Sequence, residues 1–344
     1  MRACLLLISL NYCVVLAVIF QHPPHLSGST LMMILFHILT TVGTAVTEHS
    51  CYPNSSFSTH GHTLYMTCIR DISVGERISI DYGNNYYQST AERVGSLLES
   101  YRFTCKCPMC LGPDLKRAFV CNKCPTGAVF PIGVGLNQEG DCLFSTCETC
   151  GSPPDLNYRK LCLQKEEECE SNPPMSLEEI ANITTVQRVL LESHHLIFWA
   201  SDDLAMRLAT KARSQGATLN ETANNSKGAA DAANKSNLCY REALVAMNHT
   251  VRLLEVMLPP VHQEKVLYYD RLGQLAVAAG EHEIATVNFQ KAHEMSCVAC
   301  GENHPSTLQI RELLLQSPRN LTDLMLHYSR SGFHKYQHVD MEEG

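Results

Sequence analysis

The sequence predicts an α+β chain with a small β-rich part, a cysteine-rich middle and a helical carboxyl-terminal domain. Three observations carry this. Polar and apolar residues alternate in short runs between residues 49 and 83, as in half-buried strands. Cysteines gather in closely spaced sets between residues 105 and 150. From about residue 155 to the end the chain reads as helices. A length of 344 residues leaves room for two domains or three small ones. Hydrophobic residues make up 45% and charged residues 18%, so the chain can bury cores and is not disordered by composition. The net charge of −8 provides no basic footprint, and direct nucleic-acid binding is not expected.

Residues 1–47 read as an apolar leader of doubtful origin, with one run from Cys4 to Phe20, a second from Leu31 to Val46, and no β-alternation. The first run would suit a signal peptide or a short anchor, so membrane association or secretion through residues 4–20 stands as the alternative to a cytoplasmic or nuclear protein. The rest of the fold is expected not to need this leader. Asn54 to Arg70 reads as strand, turn and strand around His60-Gly61-His62, and Asp71 to Glu76 as a turn. Arg77 to Tyr82 alternates as a half-buried strand, and Ala91 to Tyr101 suits a helix.

Cys105, Cys107 and Cys110 form a compact run of three soft ligands. Tetrahedral zinc takes four, so the fourth must come from elsewhere in the chain. Cys121-x-x-Cys124 and Cys147-x-x-Cys150 are two knuckle pairs separated by a 22-residue spacer, which suits a zinc ribbon, with Cys142 as a competing ligand. The alternative for these cysteines is disulfides or buried thiols, and disulfides need an oxidising compartment. Cys297-x-x-Cys300 lies in a helical stretch without a partner pair and reads as buried thiols.

Ser214 to Asn237, rich in Asn, Ala, Ser and Gly and without apolar period, reads as a long loop or mobile insert. Tyr240 to Met257 reads as an amphipathic helix stopped by Pro259-Pro260. Val266 to Ala279, Ile284 to Cys297, and a helix from Pro305 through Leu315 follow. Gly273, Gly280 and Ala292 are small residues placed as in a tetratricopeptide (TPR) pair, where helices touch. A plain helical bundle is the alternative.

Three segments carry a family likeness: His49-Ser-Cys51-Tyr-Pro-Asn54, Ile69 through Asp81-Tyr82-Gly83, and Tyr101-Arg-Phe103-Thr-Cys105-Lys-Cys107-Pro-Met-Cys110. They resemble the carboxyl half of a SET domain and its post-SET cysteine cluster, as in the SET-and-MYND family of protein-lysine methyltransferases. The ribbon-like insert and the helices after it look most like the family's TPR-bearing branch. On this resemblance, residues 48–103 are the SET half-domain, 104–152 the post-SET and ribbon region, and 153–344 the TPR-like domain. The resemblance implies methyl transfer from S-adenosylmethionine to a lysine of a protein substrate, with further protein partners along the helices. It implies Tyr82 as the catalytic tyrosine and Tyr101 as a channel-lining one. It assigns His49 and Phe103 to the cofactor, and Cys51 as fourth ligand of a zinc with Cys105, Cys107 and Cys110. With Cys121, Cys124, Cys147 and Cys150, two structural Zn²⁺ ions are expected.

The chain also departs from that family. Glu48 stands where the family has asparagine, and a carboxylate there is expected to repel the cofactor's own carboxylate. No Gly-x-Gly segment precedes His49, since Gly28 and Gly43 stand alone, and no seven-cysteine, one-histidine MYND finger is present. The chain as written is therefore expected to be inactive or impaired. A non-catalytic interaction scaffold built on the helices is the alternative function.

Overall fold

The computed structural model describes residues 4–10, 13–19, 47–60, 63–82, 87–136, 142–221 and 226–330. Gly28, Gly43, the Leu31–Val46 run, the Gly61-His62 turn and Gly83 lie outside them. The chain divides into two compact units, one of Met1–Ala200, Glu255–His262 and Val298–Cys300, the other of Ser201–Leu254, Gln263–Cys297 and Gly301–Gly344.

The first unit begins with β1 (Cys4–Leu10) and β2 (Cys13–Ile19), an antiparallel pair in register from Cys4↔Ile19 to Leu10↔Cys13. The run shows no β-alternation and still forms a strand pair. Alternation marks only strands with one polar face, and an unbroken Val/Leu/Ile run also satisfies a strand. The segment from Cys13 to Ile19 lies beside a later strand, β5 (Thr63–Cys68). Between them β3 (Glu48–His49) pairs in parallel with β6 (Ser79–Ile80), and β4 (Ser55–His60) pairs antiparallel with β5 from Ser55↔Cys68 to His60↔Thr63.

The strand expected over Arg77–Tyr82 shortens to two residues because a side chain takes over its backbone bonds. Asn54 is fully buried; its Nδ2 donates to Arg77 O at 2.8 Å and to Glu76 Oε1 at 3.1 Å, and its Oδ1 accepts from Ser79 N at 2.9 Å. One amide thus satisfies three backbone or side-chain groups that burial would otherwise leave unpaired.

Helix α1 (Thr90–Tyr101) starts at a capping box in which Ser89 and Glu92 satisfy each other's backbone N–H groups, and Arg102 ends it at φ 61°. A short turn of helix, α2 (Pro108–Leu111), follows. The ribbon region holds two antiparallel pairs, β7 (Phe119–Val120) with β8 (Ala128–Val129) and β9 (Pro131–Leu136) with β10 (Cys142–Phe144). Then come α3 (Leu156–Ser171), capped by Asp155, and α4 (Leu177–Ala181), which continues as a wider turn over Asn182–Gln187. The chain returns along the ribbon: Val120 N donates to Val189 O at 2.9 Å, Leu191 N to Ala118 O at 3.0 Å, and His195 N to Lys116 O at 2.8 Å. Phe119, Leu190, Cys162, Ile197 and Phe198 are all buried here, and each large apolar side chain removed from water contributes about 1.5–3 kcal/mol.

The second unit is helical. Its residues lie on α5 (His195–Glu221), α6 (Ser226–Met257), α7 (Gln263–Ala278), α8 (His282–Ala299), α9 (Pro305–Gln316) and α10 (Leu321–Arg330), of which the first residues of α5 and the last of α6 and α8 belong to the first unit. The loop expected over residues 214–237 is helix on both sides of residues 222–225, which lie outside the described residues. The stretch is rich in alanine, the strongest helix former, and that propensity acts without an apolar period. Helices α7 and α8 meet at Gly273, where an added Cβ would stand 2.6 Å from the Phe289 ring. No described helix is long and apolar enough to cross a membrane.

Candidate functional site

Cys51, Cys105, Cys107 and Cys110 bring their sulfurs within 4.8 Å of one another. Cys51 arrives from the loop after β3, and the others from the segment after α1. Cys110 N and Leu111 N donate to Cys107 O at 2.9 and 3.1 Å, which folds the chain into a knuckle. Cys51 Sγ lies 3.9 Å from Cys105 Sγ and 3.5 Å from Cys110 Sγ. Zinc–sulfur bonds of about 2.3 Å give a tetrahedral edge of about 3.8 Å, so this set fits zinc. The buried Arg93 guanidinium turns its positive charge toward Asp114, Cys51 and Cys110, which suits a set of thiolates.

The second set also assembles as the spacing indicates. Cys121 Sγ lies 3.8 Å from Cys150 Sγ, and Cys124 Sγ 3.7 Å from Cys147 Sγ. The Ser152 N–H and hydroxyl lower the Cys150 thiol to about 6, favouring the thiolate that zinc requires. Cys142 stands apart from this set; burial pushes its thiol up, and the Arg117 charge opposes that. None of the described cysteines from Cys51 onward is joined in a disulfide. Cys297 and Cys300 are only half-buried, and Cys297 Sγ lies 3.7 Å from His293 Nε2 on its own helix.

Four aromatic residues from distant parts of the sequence converge beside the first set. The His49 and Tyr82 rings lie 5.2 Å apart, His49 and Phe103 5.8 Å, Tyr82 and Tyr101 5.1 Å, and Tyr82 and Phe103 6.2 Å. Tyr82, Phe103 and Met109 pack against the cluster of Cys51, Val94, Leu97, Cys105 and Cys110. Tyr82 OH donates to Thr47 O at 2.6 Å, and Tyr101 OH donates to Tyr82 O at 2.8 Å. Burial, then the neighbouring Tyr101 and Glu48, raise the Tyr82 hydroxyl above its usual range, so it stays protonated at neutral pH. Burial, then Asp81, do the same to Tyr101.

Glu48 is not an unmet carboxylate. It pairs with Arg77 at the exposed edge of the β3–β6 pair. The sequence reading missed this because the two residues are far apart in the chain and only the parallel pairing brings them together.

A third cluster went unread in the sequence. Arg117 grips Glu166 through both oxygens, Nε to Oε1 at 2.7 Å and Nη2 to Oε2 at 2.5 Å, and His194 Nε2 lies 3.2 Å and His195 Nε2 3.8 Å from Oε1. Burial would raise Glu166, but Arg117 and then the two histidines outweigh it and hold the carboxylate far below its usual range. Burial brings His194 down to about 4, so it is neutral near pH 7. The three donors lie close enough for a metal. Yet His194 Nδ1 accepts from Leu196 N at 3.3 Å, which leaves the proton on Nε2 and closes it to a metal. The Arg117 charge already balances the carboxylate. This is a buried charge cluster that ties the ribbon segment to α3 and the start of α5. Only the Ser-His-His run before α5 hinted at it.

A SET domain family model matches residues 32–83, beginning inside the stretch read as leader. Protein-lysine N-trimethyltransferase SMYD5 of Gallus gallus is 43% identical over 68 residues, 19% of this chain and 16% of that protein. Histone-lysine N-methyltransferase SMYD3 of Homo sapiens is 37% identical over 67 residues, 20% of this chain and 15% of that protein. A SET domain-containing protein of Acanthamoeba polyphaga mimivirus is 32% identical over 131 residues, 38% of this chain and 44% of that protein. The chain thus spans less than half the length of the curated relatives it matches. Over this stretch the chain is similar to a SET domain and to relatives that carry the SET-and-MYND (SMYD) name.

Proposed function

We propose that residues 47–110 form part of a protein-lysine methyl-transfer site. The observation that carries this is the convergence of His49, Tyr82, Tyr101 and Phe103 on the first cysteine set. In this reading Cys51, Cys105, Cys107 and Cys110 hold one zinc and Cys121, Cys124, Cys147 and Cys150 another. The first ties the segment carrying Phe103 to the strand pair carrying His49 and Tyr82. S-adenosylmethionine, when bound, supplies an electrophilic methyl group, and Phe103 offers an aromatic face for its adenine.

The hydroxyls then decide the chemistry. With its proton spent on Thr47 O, Tyr82 Oη acts toward a lysine amine as an acceptor, which orients the amine lone pair toward the methyl carbon. Because burial holds the tyrosine protonated, it positions the amine and is not the base. Tyr101, fixed on Tyr82 O, lines the approach of the lysine. The amine reaches the site neutral, and the proton of the methylated product leaves to water.

The sequence holds no Gly-x-Gly segment before His49, which the family likeness assigns to the cofactor. Two or three missing polar contacts at about 1–3 kcal/mol each weaken binding by roughly a hundredfold or more. The residues bearing free thiols favour a reducing compartment, cytoplasmic or nuclear. A second reading, an interaction scaffold using TPR-like helices, draws on the close α7–α8 contact at Gly273. Calorimetry with S-adenosylmethionine and a methylation assay on lysine-rich proteins at high cofactor concentration test the proposal. Lysine methylation that falls about a hundredfold in Tyr82→Phe supports it. No transfer at any cofactor concentration leaves the scaffold reading.

A further inference from the structure

We propose that His49 is a positioning residue that couples the first cysteine set to Tyr82. Its side chain is 2% exposed, so water does not complete its bonding. Nδ1 accepts from the Tyr82 backbone N–H at 3.2 Å. An imidazole nitrogen that accepts has no proton, so in the neutral ring the proton is on Nε2. Nε2 lies 3.2 Å from Cys51 Sγ. The ring therefore donates to one sulfur of the zinc set and accepts from the residue that carries the candidate catalytic hydroxyl. Tyr82 and Phe103 hold the ring at 5.2 and 5.8 Å, so it has little freedom to turn.

Two consequences follow. Both ring nitrogens are spent inside the protein, so the His49 ring does not hydrogen-bond a cofactor, unlike the role its motif implies. And the metal set reaches Tyr82 through one rigid ring: loosening Cys51 loosens His49 and then the Tyr82 backbone. Metal-ligand partners of this kind typically change metal affinity by about 10–100-fold when removed. Asp81 Oδ1, 3.5 Å from Nδ1, is the competing proton acceptor, and a proton on Nδ1 would break the coupling.

The catalytic meaning of the coupling rests on the methyl-transfer reading, but the coupling itself does not. The test uses the full chain, labelled with ¹⁵N-histidine and loaded with ¹¹³Cd. A long-range ¹H–¹⁵N spectrum, assigned through the backbone, is expected to show a proton on Nε2 of His49 that is split by cadmium, with Nδ1 accepting. A proton on Nδ1 in place of Nε2, with no splitting by cadmium, overturns the proposal. Zinc release to a chelator gives a second readout. His49→Asn, which leaves nothing at the Nε2 position, is expected to release the first zinc about 10–100-fold faster, and His49→Gln, which reaches toward Cys51, within about threefold of the parent. Equal rates in all three chains overturn it as well. If the spectrum and the release rates hold while no lysine is methylated, the methyl-transfer reading fails alone. If Tyr82-dependent transfer is found with a proton on Nδ1, only the His49 proposal fails.

Discussion

Gly127 lies so close to the second cysteine set that a Cβ in its place would stand 2.1 Å from Cys147 Sγ and 2.7 Å from Cys124 Sγ. The knuckle closes there because Cys121 N donates to Gly127 O at 2.8 Å, which turns the strand ends inward. Gly127→Ala is therefore expected to expel the metal from this set and leave the first intact. Metal analysis of the purified chain should fall from two zinc equivalents to one.

Single ligand changes should separate the two sets. Cys107→Ser is expected to remove the first zinc and Cys124→Ser the second, each with loss of the folding free energy that metal binding supplies. Element analysis beside thermal unfolding checks this. A folded parent chain without zinc would contradict both assignments.

Glu166→Gln should destabilise without touching metal content. It leaves the Arg117 guanidinium buried against a neutral amide, and breaking a buried pair typically costs about 3–5 kcal/mol. Urea unfolding should show the loss while zinc stays at two equivalents. A drop of one metal equivalent would instead make Glu166, His194 and His195 a ligand set.

The helical unit should weaken as pH rises through about 6. Asp270 is buried, and burial raises its carboxyl to about 6 despite hydrogen bonds from Tyr328 and Gln274. A carboxyl raised above its unfolded value contributes full stability below that value, near pH 4, and loses it as pH passes the folded value. That elevation corresponds to about 3 kcal/mol. Tyr328 OH donates to Asp270 Oδ1 at 2.8 Å, so Tyr328→Phe should cost more stability at pH 8 than at pH 5. Chemical unfolding of both chains at the two pH values measures the difference.

Gly273→Ala should destabilise the second unit by about 1–3 kcal/mol, because the methyl meets the Phe289 ring rather than open space. Thermal unfolding followed by helical circular dichroism should show a lower midpoint with unchanged zinc.

The knuckle cysteines of both sets were legible in the sequence, because a knuckle is local: Cys107 to Cys110, or Cys121 to Cys124, brings sulfurs together within a few residues, whereas Cys51 was singled out by the family likeness alone. The hairpin Ser55–His60 with Thr63–Cys68 and helix Thr90–Tyr101 were legible for the same reason, since turn residues and side-chain periodicity act over short distances. The likeness of Tyr82, Tyr101, Phe103 and His49 to a known motif singled them out, but no local rule places their rings within about 6 Å of one another.

What only the tertiary structure decided depends on partners far apart in the chain. Glu48 meets Arg77 through a two-residue parallel pairing. Asn54 replaces the backbone bonds of a strand that alternation had drawn too long. The Arg117–Glu166–His194 cluster joins three segments and draws its charge state from burial, which no window of sequence contains. Residues 214–237 lacked an apolar period, and alanine propensity rather than patterning made the described parts helical. Sequence alone determined which atoms can bind metal and which segments turn. Tertiary folding determined which nitrogen of His49 faces sulfur and which faces Tyr82, because a proton's position depends on the neighbours that long-range packing supplies.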